Sequence, residues 1–251
     1  ENAGMKTVTS SDVAHLPRSV QDGKASPPAR VHDSLIPHSI REAYAVQDAA
    51  GHHLGPVGGW KVGSETPASE PFCTPIDTST LFADGAAIPP DLCRRPGAEA
   101  EPACRFAGVM PPRDQEWIRD EVPDAIGTIH PVIGSPDSRF AKPGSQHEFL
   151  HMADQQNHGA LIVGRDVAGR CQFTPVTQRV VLSINHQTVA DPYRWQFRWR
   201  PPAAAGVGGQ SCIAAGSIVT TGSMTGTIFV GHDTEVMAQF PAIGSVRAHL
   251  A

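Results

Sequence analysis

The 251 residues, 40% hydrophobic and 18% charged, can bury a substantial core, which argues against an extended disordered or coiled-coil chain. A formal net charge of -5 with scattered lysines and arginines leaves no basic footprint for nucleic acid, and no apolar run approaches the roughly 18 residues of a membrane span. The opening segment lacks the apolar core of a signal peptide, so a cytoplasmic protein with no nucleic-acid or membrane partner is expected.

In chain order, the residues before Met5 read as an expression remnant, and residues 1 to 34, polar and without periodicity, read as a flexible lead-in to one domain over 35 to 251. Residues 38 to 54 carry a helical stripe of Ile40, Ala43, Tyr44, Val46 and Ala49, with Ser39 suited to cap its start and Gly51 to end it. From residue 55 onward, short apolar runs separated by glycine and proline read as strands. Residues 114 to 128 are expected to hold a second helix, interrupted near Pro123.

Farther on, "RVVLSINHQTVA" reads as a strand with Val180, Leu182 and Ile184 on one face and a hairpin turn at its polar centre. Residues 200 to 216 read as a long low-complexity loop, and Val236, Ala238 and Phe240 alternate with polar neighbours as a half-buried strand does. No internal repeat occurs, so a mixed α+β architecture with N-terminal helices beside a β core is expected. The five cysteines are widely spaced and form no C-x-x-C pair, which fits reduced packing residues rather than disulfides or a zinc site.

One stretch is costly without a purpose. In "RRPGAEAEPACRF", residues 94 to 106, Glu99 and Glu101 stand two apart among small and apolar residues. In a strand they project from the same face, and two converging carboxylates repel unless a cation or a proton lies between them.

Five segments, "GWKVG" (59 to 63), "STLFADG" (79 to 85), "AEAEPACRF" (98 to 106), "HPVIGSPDSRF" (130 to 140) and "GSIVTTGSM" (216 to 224), are closed by "AIGSVRAHL" (242 to 250). In this order they resemble the 2-keto-4-pentenoate hydratase branch of the fumarylacetoacetate hydrolase superfamily, from about residue 35 to the C-terminus. The resemblance implies a mixed β-roll or β-sandwich core around a divalent cation, Mg2+ or Mn2+, and a homo-oligomer. It also implies a small-molecule substrate, a 2-keto acid or its enol, that is hydrated, cleaved at a C–C bond or decarboxylated.

On that resemblance Glu99 and Glu101 are metal ligands. The family's third acid falls on Gly134 in this chain, and Asp137, three residues on, follows Pro136, which restricts its backbone. Lys61 matches an active-site lysine suited to acid/base work, although a lysine at a strand end can also be a surface residue. Asp84 matches its acid partner, yet an Asp before Gly85 is equally a turn residue. Thr221 and Ser223 match small hydroxyls near the substrate carboxylate, while Ser217 replaces an acid there and reads as structural. Gln155 after Asp154 stands where an Asp-Asn pair is usual, and Gln156 and His158 are candidates for either the pocket or a loop.

No G-x-S-x-G elbow, phosphate loop or helical His pair is present, and most of the twelve histidines are expected to be solvated. Three functions compete. The first is a cation-dependent lyase centred on Glu99 and Glu101. The second is a repurposed family member doing metal-independent dehydration, isomerisation or cyclisation in a biosynthetic pathway, favoured by Gly134. The third is a non-catalytic binding paralogue, which has the least support because Lys61, Glu99 and Glu101 are all retained.

Overall fold

Strand formation dominates the chain, as its Gly- and Pro-punctuated apolar runs require. The computed structural model describes residues 26–28, 31–51, 55–63, 72–111, 113, 117, 121–141, 147–166, 179–190 and 213–251. Its contacts group into two compact units, one made of the chain up to Gly55 with Ser138–Asn157, the other of Pro56–Asp137 and His158–Ala251.

The first unit is helical. Helix α1, Ile40–Gly51, starts at the expected serine: Ser39 Oγ accepts from the Glu42 N–H at 3.2 Å, and Glu42 Oε2 accepts from the His38 N–H at 2.8 Å. Its stripe, Ala43 and Val46, buries against Phe140 and against Leu150 and Ala153 of helix α2, Glu148–Ala153. Gln47 Nε2 donates across this contact to the Met152 carbonyl at 2.5 Å. Arg139 Nε donates to Asp154 Oδ1 at 2.8 Å in a buried ion pair, after which Gln155, Gln156 and Asn157 all adopt positive φ.

Among its described residues the second unit holds thirteen strands: β1 Val57–Gly63, β2 Phe72–Asp77, β3 Leu81–Ala83, β4 Ala86–Ile88, β5 Gly97–Phe106, β6 Ile126–Pro136, β7 His158–Val163, β8 Val181–Ile184, β9 Gln187–Ala190, β10 Ile218–Thr220, β11 Ile228–Phe229, β12 Thr234–Phe240 and β13 Gly244–Leu250. One mixed sheet runs β2-β1-β10-β5-β6-β7-β3, with β11 also on β5; the other runs β4-β13-β12-β8-β9. The two pack through Ala98, Ala100, Ile133 and Ile162 of the larger sheet and Leu182, Val236, Phe240, Val246 and Leu250 of the smaller. The expected α+β architecture with a β core is what the chain forms, and the alternation of Val236, Ala238 and Phe240 is buried as read.

Two prolines sit in the middle of the larger sheet without breaking it. Pro102 of β5 lies opposite Pro131 of β6. The Pro102 carbonyl accepts from the Thr221 hydroxyl at 2.9 Å and the Pro131 carbonyl accepts from the Gly164 N–H at 2.9 Å, so the two backbones point away from each other and no ladder bond between them is lost.

Two expectations are corrected or bounded. Ile126–Thr128, expected to close a second helix, instead open β6 behind a short 3-10 turn at Pro123–Ala125, because the β-branched run IGTIHPVI favours a strand. Most of residues 112 to 120 and 191 to 212, including most of the expected low-complexity loop, lie outside the described residues. The hairpin at "INHQT" forms with Asn185 and His186 at φ 48° and 66°, as a two-residue primed turn requires. Cys73, Cys93 and Cys104 are buried. No helix among the described residues is long and apolar enough to cross a membrane.

Candidate active site

Strand β5 separates its side chains by parity. Ala98 and Ala100 enter the core between the sheets, while Glu99 and Glu101 project from the opposite face, where both are buried. The same-face pair read from the sequence is therefore real. Adjacent strands complete the surroundings: β10 places Thr220 opposite Ala103 of β5, and β1, parallel to β10, brings Lys61 alongside. Lys61 Nζ lies 3.5 Å from Glu99 Oε2. A narrow cleft is lined by Lys61, Glu101, Gly134, Pro136, His158 and Thr220, among others.

The two carboxylates are held differently. Glu99 Oε1 accepts from the Thr227 hydroxyl and Oε2 faces the Lys61 ammonium. Glu101 Oε2 accepts from the Gly222 N–H at 2.8 Å, and its carboxyl is pushed up to about 7. Burial is the main cause; Lys61 opposes it, the negative Glu99 adds to it, and Thr220 and Gly222 pull slightly downward. Although it faces Glu101, the buried Thr220 hydroxyl makes no hydrogen bond of proper geometry among the described residues. A buried hydroxyl in that state stands ready to bond a ligand oxygen.

Gly134 is directly opposite Glu99 across the β5–β6 ladder. A Cβ there would stand 3.3 Å from Glu101 Oε1 and 3.4 Å from Glu99 Oε2. The position aligned with the family's third acid thus faces both carboxylates and carries no side chain. Asp137, the alternative acid, accepts from the Arg95 N–H at 2.8 Å. No group of three His, Cys, Asp or Glu side chains able to hold a metal occurs among the described residues.

The other sequence candidates are dispersed. Asp84 sits in the turn between β3 and β4, where its Oδ1 accepts from the Arg247 N–H at 2.8 Å at the smaller sheet, and it does not line the cleft. The Thr221 hydroxyl is bonded to the Pro102 carbonyl, and the Ser223 hydroxyl donates to the Gly226 carbonyl at 3.3 Å within a turn. Ser217 is buried, with its backbone carbonyl accepting from the Phe106 N–H. Gln155 and Gln156 belong to the helical unit.

His158, open in the sequence between the pocket and a loop, lines the cleft, and Thr220 is the residue gained. Thr80 Oγ1 donates to the Asp77 carbonyl at 2.8 Å and lies 2.8 Å from His158 Nε2. With its one proton directed at that carbonyl, Thr80 accepts from His158, which fixes the hydrogen on Nε2. Thr220, the last residue of β10, adjoins the Thr221 chosen from sequence, which lies just beyond the strand.

Comparison with known proteins agrees with this architecture. The 4-oxalocrotonate decarboxylase from Pseudomonas putida, complexed with magnesium and adipate, superposes with a TM-score of 0.75 at 19% identity over 98% of this chain and 100% of that one. The same enzyme complexed with calcium and acetate gives 0.74. A 5-carboxymethyl-2-hydroxymuconate delta-isomerase from Mycobacterium smegmatis gives 0.56 at 11% identity over 78% of each chain. A protein assigned to the fumarylacetoacetate hydrolase family, from Yersinia pestis, gives 0.56 at 16% identity over 78% of this chain and 93% of that one. No protein-family profile and no curated protein matches the sequence. The chain shares the fold of these proteins.

Proposed function

We propose that the chain is an enzyme of the lyase type acting on a small 2-keto acid or its enol, with the chemistry at Lys61, Glu99 and Glu101. The observation that carries the reading is the buried same-face carboxylate pair with a lysine ammonium against it. The shared fold of a decarboxylase complexed with magnesium and a dicarboxylate, adipate, supports it.

The donor set fits a hard divalent cation, since oxygen is its preferred ligand and Mg2+ commonly takes one or two carboxylates and keeps its remaining positions for water and substrate. Glu99 and Glu101 would hold it, and it would offset both the burial and the lesser repulsion from Glu99 that raise Glu101. When bound, such a cation supplies Lewis-acid polarisation of a keto oxygen, which makes the neighbouring enol accessible. Thr220 donates a hydrogen bond to a substrate oxygen. Lys61 Nζ carries the proton between the substrate and solvent, positioned by Glu99 Oε2. His158, with its hydrogen fixed on Nε2, forms a wall of the cleft and gives it a defined polarity. Hydration, C–C cleavage and decarboxylation share this proton movement and differ in what leaves or adds afterwards.

A second reading, metal-independent dehydration, isomerisation or cyclisation, is favoured by Gly134 and by the lysine already placed on Glu99. Proton exchange separates the two. A set of 2-keto acids in deuterated water with Mg2+, followed by nuclear magnetic resonance, should show enzyme-catalysed exchange beside the carbonyl. Lys61→Met should slow it by on the order of a hundredfold or more. Loss of exchange in excess chelator supports the cation-dependent reading, and its survival supports the second. Exchange at the solvent rate for every acid tested sinks both.

A further inference from the structure

Resting on the reading that Glu99 and Glu101 hold a divalent cation, we infer that this site is incomplete by itself: the cation and an anionic, chelating ligand bind as an interdependent pair, because position 134 offers no third carboxylate.

The argument starts from charge. Two carboxylates facing one ammonium leave the ionised cluster with a single negative charge. A divalent cation added alone turns that into a net positive charge in a buried place, beside the Lys61 ammonium 3.5 Å from Glu99. An anionic ligand bound alone instead meets two buried carboxylates. Each partner is unfavourable without the other, and together their charges largely offset.

Coordination number points the same way. Two carboxylates satisfy a minority of the oxygens a hard cation requires. Gly134 adds no oxygen to them: it faces both carboxylates, and a Cβ there would lie 3.3 Å from Glu101 Oε1 and 3.4 Å from Glu99 Oε2. The same cleft presents Lys61 and the buried Thr220 hydroxyl, which has no hydrogen bond of proper geometry among the described residues. A bidentate ligand with adjacent carboxylate and keto oxygens, or two carboxylates, can fill cation positions there while accepting from Thr220 and from the lysine. Binding coupled in this way is reciprocal, so whatever factor the ligand gives the cation, the cation gives the ligand.

Calorimetry on chelator-stripped protein with Mn2+ and oxalate tests this. Oxalate should tighten Mn2+ binding by about tenfold or more, and Mn2+ should tighten oxalate by the same factor. Glu101→Gln should abolish both effects. Gly134→Asp should bind Mn2+ without oxalate and show a smaller coupling factor; its neighbours at the new Cβ are the mobile ends of carboxylate side chains, which can shift by the few tenths of an ångström needed. The wild-type titrations decide the matter even where that variant folds poorly. Equal Mn2+ affinity with and without oxalate overturns the inference and leaves the cation reading standing. Absence of Mn2+ binding in both conditions overturns the inference and removes the cation from the proposed function as well, leaving the metal-independent chemistry to be judged by proton exchange.

Discussion

Glu101 is a carboxyl whose ionisation folding opposes. Its folded value of about 7 lies above the ordinary 4.5, mainly through burial. A raised carboxyl gives stability that is fully present below the unfolded value and is lost as pH rises through the folded one. At roughly 1.4 kcal/mol per pH unit, the shift amounts to about 3 kcal/mol between pH 4.5 and 7. His130, whose value burial lowers, acts in the opposite direction in a neighbouring window, because its protonation on acidification disfavours the fold. Comparison with Glu101→Gln isolates the carboxyl. In chelator-treated protein, the unfolding free energy of wild type relative to Glu101→Gln should fall by about 3 kcal/mol from pH 4.5 to pH 7.5, measured by urea titration. A difference that stays flat with pH contradicts the buried, partly protonated state. The two acids were legible because strand parity alone puts residues two apart on one face. The choice between Thr220 and Thr221 was not, since which of two adjacent threonines ends β10 beside the acids is unknown until its register with Ala103 is known.

Strand β7 shows why the sequence left His158 open between the pocket and a loop. Simple alternation would send His158 to the same side as Ala160 and Ile162, into the core between the sheets. The pairing of β7 with β6 slips instead: Ser135 faces Ala160 and Pro136 faces His158, leaving Gly159 as the extra residue of a bulge. The slip turns His158 to the face that holds Gly134 and the carboxylates. Only glycine fits there, because a Cβ on residue 159 would stand 2.7 Å from both Cys93 Sγ and the Ser135 carbonyl oxygen. Gly159→Ala should therefore destabilise the protein by about 1 to 3 kcal/mol, as overpacking does. It should also shift the His158 ring resonances in a nuclear magnetic resonance spectrum, whereas Gly231→Ala, at a glycine with open space around it, should do neither. Unchanged melting in Gly159→Ala would show that the bulge relaxes freely. Where elements obey plain periodicity, as in α1, the Asn185–His186 hairpin and β12, the sequence was sufficient; it failed where a bulge or a proline-led turn changes the period, as at β7 and at Ile126–Thr128.

Across the whole sandwich of the second unit, stability and chemistry occupy opposite faces of one sheet. Phe240, Leu182 and Val236 pack against Ala98, Ala100 and Ile133. Glu99 and Glu101 leave the same strand in the other direction, toward Lys61 and Thr220. The small alanines that alternate with the acids are thus part of the design: they let the smaller sheet approach the strand that carries the acids, and a rigid strand fixes the carboxylates better than a loop could. This arrangement separates two quantities that destabilising variants usually confuse. Phe240 is 1% exposed, and Phe240→Ala leaves a cavity that should remove about 3 to 5 kcal/mol of stability. Because that cavity opens on the side away from the acids, its Mn2+ and oxalate affinities, measured together well below the melting transition, should stay within about twofold of wild type, as expected for separated sites that do not share partners. A large loss of affinity in a variant that is still folded would mean that packing between the sheets sets the spacing of the carboxylates, and that the two faces of β5 act as one.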